Sequence, residues 1–198
     1  MLGPEIQKLS PQLYSFMNLV SPQILDEDVT VRKPKSIPKS RRFVGRCFMF
    51  RYKNPINKGK AKLPYYHFFP TIISLEQRED TILGLNLFYL DRIRREKLLD
   101  IMMGNLMGDE DDADTKARVS YKIISRYSQK YKNAFPCIKQ YSHRRMGQFV
   151  AEVPPKLWRE IFIGNSSYLQ ERMFRGASVK QIYNKSRQRA IEESRKRR

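Results

Sequence analysis

The apolar runs in the first half of the chain are short and rich in aromatic and β-branched residues, which favours strands over long helices. Val44–Tyr52 alternates with a period of two residues, so Phe48 and Phe50 are expected on one face of a strand and Cys47 and Met49 on the other. Further strands are predicted at Thr71–Leu75, Thr81–Leu90, Cys137–Ser142 and Gln148–Val153. The last two read as a hairpin with its turn at His143–Gly147.

Five strands of this length are not stable as an open sheet without cover. The sheet is therefore expected to curl into a barrel or to be covered by helices. Asp91 is a candidate N-cap for a helix over Arg92–Met107, and a second helix is predicted at about Lys116–Lys132. The expected fold class is α+β: a small SH3-like or OB-like β-barrel with a helical insertion and extended basic arms.

Glycine and proline mark two further features. Gly84 interrupts an apolar run and predicts a bulge or a close approach of the backbone to a neighbour. Pro154 and Pro155 open a helix through about Ile163. The predicted organisation is an extended arm over 1–42, a body over 43–163 with the insertion at about 91–132, and a basic helix or tail over 164–198.

The positive charge is concentrated in two segments. The chain has 198 residues and a formal net charge of +19. Residues 32–62 hold twelve Lys and Arg and no acid, residues 175–198 hold nine basic and two acidic residues, and the remainder is neutral. Segregated positive charge favours a polyanion, because binding releases counterions. An acidic protein surface or a large assembly is the alternative partner. Both segments are expected to be dispensable for the fold, apart from the first strand.

Several other classes of protein are not supported by the sequence. The first residues lack the pattern of a secretory signal, and no apolar run reaches the roughly 20 residues of a membrane span. Cys47 and Cys137 form neither a zinc motif nor a disulfide framework. The acidic stretch 109–114 lacks the Gly and Glu positions of a calcium loop. No cofactor, metal or small-molecule ligand is expected.

Catalysis is not expected either. His67 and His143 are the only histidines, and neither lies beside a nucleophile in a pattern such as G-x-S-x-G. His143 precedes Arg144 and Arg145, a setting that favours an anion contact. The chain carries no phosphate-binding glycine motif, so nucleotide hydrolysis has no support.

An aromatic cluster over residues 65–69 has two interpretations. Tyr65 and Tyr66 are candidates for stacking on nucleic-acid bases, because they lie beside Lys60 and Lys62. The other interpretation is a loop buried against the body, which the flanking prolines favour. The predicted nucleic-acid contacts are the basic residues Arg32, Lys33, Lys35, Lys39, Arg41, Arg42, Lys58, Lys60, Lys62, Arg144, Arg145, Lys180, Lys185, Arg187, Arg195, Lys196, Arg197 and Arg198.

Residues from about 43 to 163 carry a family resemblance. Its pieces are Phe48–Lys53, Leu63-Pro64-Tyr65-Tyr66-x-x-Phe69-Pro70, Leu83-Gly84-Leu85-Asn86-Leu87-x-Tyr89-Leu90, the basic helix Arg92–Asp100, Pro136-Cys137-Ile138-Lys139-x-Tyr141-x-x-x-Arg144, and Pro154 followed by Trp158. This pattern resembles the DNA end-protector proteins of T4-like tailed phages.

The resemblance implies a non-enzymatic virion protein, assembled in the host cytoplasm, that binds the end of the packaged double-stranded DNA and shields it from exonuclease. It also implies contacts with other phage structural proteins of the neck, portal or tail. The rival hypothesis is a neck, tail or baseplate component whose basic arms bind other virion subunits. A nuclease is the third hypothesis.

Overall fold

The computed structural model of the protein describes residues 30–32, 45–53, 63–106, 137–165 and 167–196. Its strands are β1 (Thr30–Arg32), β2 (Cys47–Tyr52), β3 (Tyr66–His67), β4 (Thr71–Gln77), β5 (Thr81–Leu85), β6 (Ile138–Ser142), β7 (Met146–Val153) and β8 (Phe174–Arg175). Its α-helices are α1 (Arg92–Leu106), α2 (Trp158–Ile163), α3 (Ser167–Glu171) and α4 (Val179–Lys196), with 3₁₀ turns at Leu87–Tyr89, His143–Arg145 and Pro155–Leu157. The fold is therefore α+β, as predicted.

The main sheet is antiparallel and curled. Its strand order is β1-β7-β2-β4-β5-β6, and β3 pairs with β8 in a separate two-stranded sheet. The predicted hairpin of β6 and β7 is wrong, since β6 pairs with β5 while β7 pairs with β1 and β2. Three strands separate β6 from β7, which is roughly 19 Å across a flat sheet. The single 3₁₀ turn His143–Arg145 spans that separation only because the sheet bends into a half-barrel.

Aromatic contacts across the concave face confirm the curl. Tyr141 on β6 lies 5.4 Å from Phe50 and 5.1 Å from Tyr52 on β2, measured between ring centroids. The Ser142 amide also donates to the Tyr52 hydroxyl at 3.0 Å. Strands β4 and β5 lie between β2 and β6 in the sheet, so these rings meet only across a bent surface.

Both faces of the sheet are buried, and they hold separate clusters. Phe48 and Phe50 belong to the concave cluster, whereas Cys47 and Met49 belong to the larger cluster under the helices. The predicted two-residue alternation of this strand is confirmed. Burial on both sides explains why its sequence shows aromatic residues alternating with other apolar residues rather than with polar ones.

Gly84 lies where the backbone of β5 closely approaches the Ile72 side chain, as its position within an apolar run predicts. A Cβ at this position would lie 2.6 Å from the Ile72 side chain, so only glycine leaves room for that packing. The register between β4 and β5 also shifts between Ser74 and Glu76, opposite the same part of β5. The bulge and the close approach therefore occur together.

The predicted first helix is confirmed. The Asp91 carboxylate accepts a hydrogen bond from the Arg94 amide at 3.0 Å, and α1 follows directly. The predicted Pro154–Ile163 helix is present as a 3₁₀ turn followed by α2, and its Trp158 and Phe162 are buried. The helix predicted over Lys116–Lys132 lies outside the described residues.

The chain after residue 163 belongs to the body. Phe174 and Ile182 are 6% and 0% exposed and lie in the same apolar cluster as Trp158. These contacts argue against the predicted boundary at 163 and against the expectation that residues 175–198 are dispensable for folding. At the other end, Thr30–Arg32 pairs with β7, so the predicted arm over 1–42 also contributes a strand.

A buried arginine connects the helices. Arg95 on α1 is 0% exposed, and its guanidinium lies 4.4 Å from the Phe88 ring centroid. It donates to the Phe162 carbonyl at 2.9 Å and to the Leu90 carbonyl at 3.3 Å. It also pairs with Glu171 at the end of α3 and donates to the Tyr183 hydroxyl on α4 at 3.1 Å. One side chain thus joins all four described helices.

Replacing Arg95 with Met should lower the free energy of unfolding by about 3–5 kcal/mol, because two buried carbonyls and a carboxylate lose their donor. Chemical denaturation of both proteins measures the loss. Arg94→Met is the matched control: its exposed pair with Asp91 should contribute less than about 1 kcal/mol. Equal losses for the two variants would contradict the role given to Arg95.

Candidate nucleic-acid interface

Most carboxylates in the described part of the chain form ion pairs with arginines. Arg46 contacts Glu152 at 2.8 Å, and Arg78 contacts Glu76 at 2.9 Å. The other ion pairs among the described residues are Arg94–Asp91, Arg95–Glu171, and Arg159 with Glu96 and Asp100. Lys180, Arg187 and Arg195 form none of these pairs.

The outer face of α4 carries three of the predicted contacts. Lys180, Arg187 and Arg195 are exposed, and at 100° per residue they lie opposite the buried Ile182 and Ser186. None of the three forms an ion pair with a described carboxylate. The predicted Lys196 is the last residue of this helix, whereas Arg197 and Arg198 lie outside the described residues.

A second basic group lies at the corner between β6 and β7. Arg144 is exposed and Arg145 is half-buried in the 3₁₀ turn. The Lys53 amide donates to the Arg145 carbonyl at 2.9 Å, which places an exposed lysine beside this turn. Sequence reasoning omitted Lys53, because only the pairing of β2 with β7, with Tyr52 opposite Met146, brings the end of β2 to this corner.

The two candidate stacking residues are separated by the fold. Tyr65 is 8% exposed and belongs to the cluster under the helices, so its ring is not accessible to a base. Tyr66 is half-buried and packs against the concave cluster. The buried-loop interpretation therefore holds for Tyr65, and the two rings do not form one platform.

Lys185 has a different setting from the rest of the predicted helix contacts. Its ammonium lies 5.2 Å from the Tyr65 ring centroid, on the side of α4 that faces the body. Arg189, one turn further along, was not among the predicted residues, although its i, i+4 spacing from Lys185 was visible in the sequence.

A further pair of cations missed by sequence reasoning flanks Phe68. The guanidinium carbons of Arg51 and Arg175 lie 5.2 Å and 5.1 Å from its ring centroid. The two arginines are 124 positions apart in the chain, on β2 and β8, so sequence proximity gave no signal.

Of the predicted contacts among residues 32–62, Arg32 alone lies within the described residues. Arg32 is in β1, where its backbone pairs with Val150. The other predicted contacts of this segment lie outside the described residues: Lys33, Lys35, Lys39, Arg41, Arg42, Lys58, Lys60 and Lys62.

His67 is a buried part of the core. Its Nε2 donates to the Gln170 carbonyl at 2.7 Å, and its Nδ1 accepts from the Asn86 amide at 3.1 Å. The ring stacks on Phe174 at 4.6 Å. Burial, together with the charge of Arg95, lowers the pKa of His67 to about 3, against the opposing effect of the Gln170 carbonyl. The imidazole is therefore neutral and held in one tautomer.

Other candidate reactive groups are also enclosed. Gln77 contacts the His143 Nε2 at 2.9 Å, and burial lowers the pKa of His143. The ring is 8% exposed, which is a poor setting for the predicted anion contact. Burial also raises the pKa of the Cys47 thiol well above its usual value, and that of Cys137 to about 12.

No group of three or more His, Cys, Asp or Glu in the described ranges is placed to hold a metal ion, and the acidic stretch 109–114 lies outside them. No described helix combines the length and apolar character needed to cross a bilayer.

Comparisons with protein-family models, curated proteins and solved structures gave no match to this chain. The family resemblance described above therefore rests on the sequence pattern alone.

Acidification should test the neutral state of His67. Below about pH 6.5 the unfolded chain binds a proton that the folded chain does not take up until about pH 3, so stability falls as the pH falls across this window. The loss from this one group approaches 1.4 kcal/mol per pH unit. His67→Gln keeps one donor and one acceptor but cannot titrate.

The measurement is the free energy of unfolding of both proteins between pH 4 and pH 7. The stability of the wild type relative to His67→Gln should decrease steadily toward acid pH. Parallel curves would show that His67 titrates normally in the folded protein.

Proposed function

We propose that this protein is a non-enzymatic virion protein of a tailed phage that binds double-stranded DNA near the genome end through phosphate contacts and protects it from exonuclease. The observation that carries the DNA-binding part is the outer face of α4, where Lys180, Arg187 and Arg195 are exposed without a described carboxylate partner.

Phosphate binding is the chemistry that such a surface favours. Arginine offers paired N–H donors that match phosphate oxygens, and lysine offers a compact positive charge. The corner formed by Lys53, Arg144 and Arg145 adds a second cationic group on the body. Contacts of this kind do not read base sequence, so the proposed binding is independent of sequence.

The virion setting and the preference for DNA ends come from the family resemblance over residues 43–163. Within this proposal the curled sheet is a small barrel of the SH3-like or OB-like kind, and the basic segments outside the described residues act as arms that reach along the DNA or to neck, portal or tail proteins. The enclosed histidines and the high thiol pKa values are consistent with the absence of catalysis in this proposal.

Binding to linear double-stranded DNA should weaken steeply with salt. In B-DNA each neutralised phosphate contributes about 0.9 to the slope of log affinity against log salt. Replacing Lys180, Arg187 and Arg195 with Gln should therefore reduce that slope by about 2–3, while thermal stability stays unchanged because all three are exposed. Titrations at four or more salt concentrations measure the slope.

The matched control removes the same charge from Arg78, Arg94 and Arg159, which are exposed but already paired with carboxylates. This variant should keep nearly the wild-type slope. A flat salt response of the wild type would contradict DNA binding, and equal slopes for the two variants would exclude the α4 face.

Exonuclease digestion of linear DNA tests the end-specific part. Protection of ends, with internal nicks left open to digestion, is expected across low to moderate salt. Failure of the pure protein to retain DNA, together with its location at the tail in particles, would instead favour the neck, tail or baseplate hypothesis. Metal-dependent degradation of the DNA would favour a nuclease.

A further inference from the structure

Two lysines from distant parts of the chain lie over neighbouring tyrosine rings. The Lys139 ammonium on β6 lies 4.2 Å from the Tyr89 ring centroid, and the Lys185 ammonium on α4 lies 5.2 Å from that of Tyr65. The two rings are 6.4 Å apart between centroids. Each ammonium therefore lies over one ring of a neighbouring tyrosine pair.

Arg189 adds a third positive charge to this group. It follows Lys185 by one helical turn, and both lie on the side of α4 that carries the buried Ile182. Burial and then the nearby Arg189 lower the pKa of Lys139 to about 8. Within the described ranges no carboxylate pairs with any of these three cations.

A buried hydroxyl in the same group also has no partner. Tyr65 is 8% exposed, and its Oη forms no hydrogen bond among the described residues. Leaving a buried hydroxyl unsatisfied costs free energy, and so does holding three cations together without an anion. Both costs would be relieved by the same kind of ligand, an anion with several acceptor oxygens.

We propose that Lys139, Lys185 and Arg189, with the Tyr65 hydroxyl, form a binding site for a phosphate group on the body of the protein. Phosphate carries enough charge and enough acceptor oxygens to engage all four groups at once. This site is distinct from the outer face of α4. Where DNA is the source of the phosphate, the inference rests on the proposed function; where inorganic phosphate is the source, it stands independently.

The test is calorimetric titration of the full-length protein with inorganic phosphate, at constant ionic strength set by chloride. Lys185→Gln/Arg189→Gln should lower the phosphate affinity at least about tenfold, because two charged donors are removed. Tyr65→Phe, which removes only an unpartnered hydroxyl and should fold normally, should lower it by about tenfold as well.

The matched control is Lys97→Gln/Arg172→Gln, which removes the same charge from two exposed side chains outside both proposed binding surfaces. Its phosphate affinity should stay within about twofold of the wild type, because neither side chain lies in the proposed site. Equal losses of phosphate affinity in the two double variants would show that phosphate is attracted by the overall positive charge, and would overturn the site. Absence of phosphate binding by the wild type would overturn it too.

Comparing the binding of duplexes that end in a 5′-phosphate or a 5′-hydroxyl identifies which phosphate of the DNA occupies the site. If the site takes a terminal phosphate, removing it should weaken binding of the wild type but not of Lys185→Gln/Arg189→Gln. If both duplexes bind equally and inorganic phosphate competes with them, the site takes a backbone phosphate. Salt-dependent DNA retention without phosphate binding would overturn only this site, whereas phosphate binding without DNA retention would overturn only the proposed function.

Discussion

The buried guanidinium of Arg95 is the interaction on which the helical side of the molecule depends. A fully buried charge needs hydrogen-bond partners, and here they come from the other three described helices and from Leu90, which precedes α1. The Tyr183 hydroxyl on α4 and the Glu171 carboxylate at the end of α3 fix these late elements against the first helix. The C-terminal segment is therefore part of the core despite its high charge.

Docking α4 in this way divides its basic residues into two groups with different chemistry. Lys185 and Arg189 are exposed, but they lie along the side of α4 that packs on the body, beside the Tyr65 ring and the half-buried Lys139. Lys180, Arg187 and Arg195 face away from the body. One helix thus carries an outward cationic face and a second pair of cations at the edge of its packed side.

Local patterns predicted several elements correctly because their causes are local. The Asp91 cap, the alternation in β2, and the close approach at Gly84 depend on residues near one another in the chain or on the neighbouring strand. The hairpin of β6 and β7 was wrong because a short link normally joins neighbouring strands. A short link can also join the two sides of a curled sheet, and the sequence of the link does not distinguish these cases.

By itself, the sequence determined the α+β class, the strand and helix positions that periodicity marks, and the concentration of charge in two segments. Only the tertiary structure decided which of those charges are neutralised, which face outward, and that Lys139 lies with Lys185 and Arg189. The physical reason is the range of the interactions. Propensity and capping act over a few residues, whereas ion pairing, burial and cation–π contacts depend on distances that the curl of the sheet and the docking of α4 set.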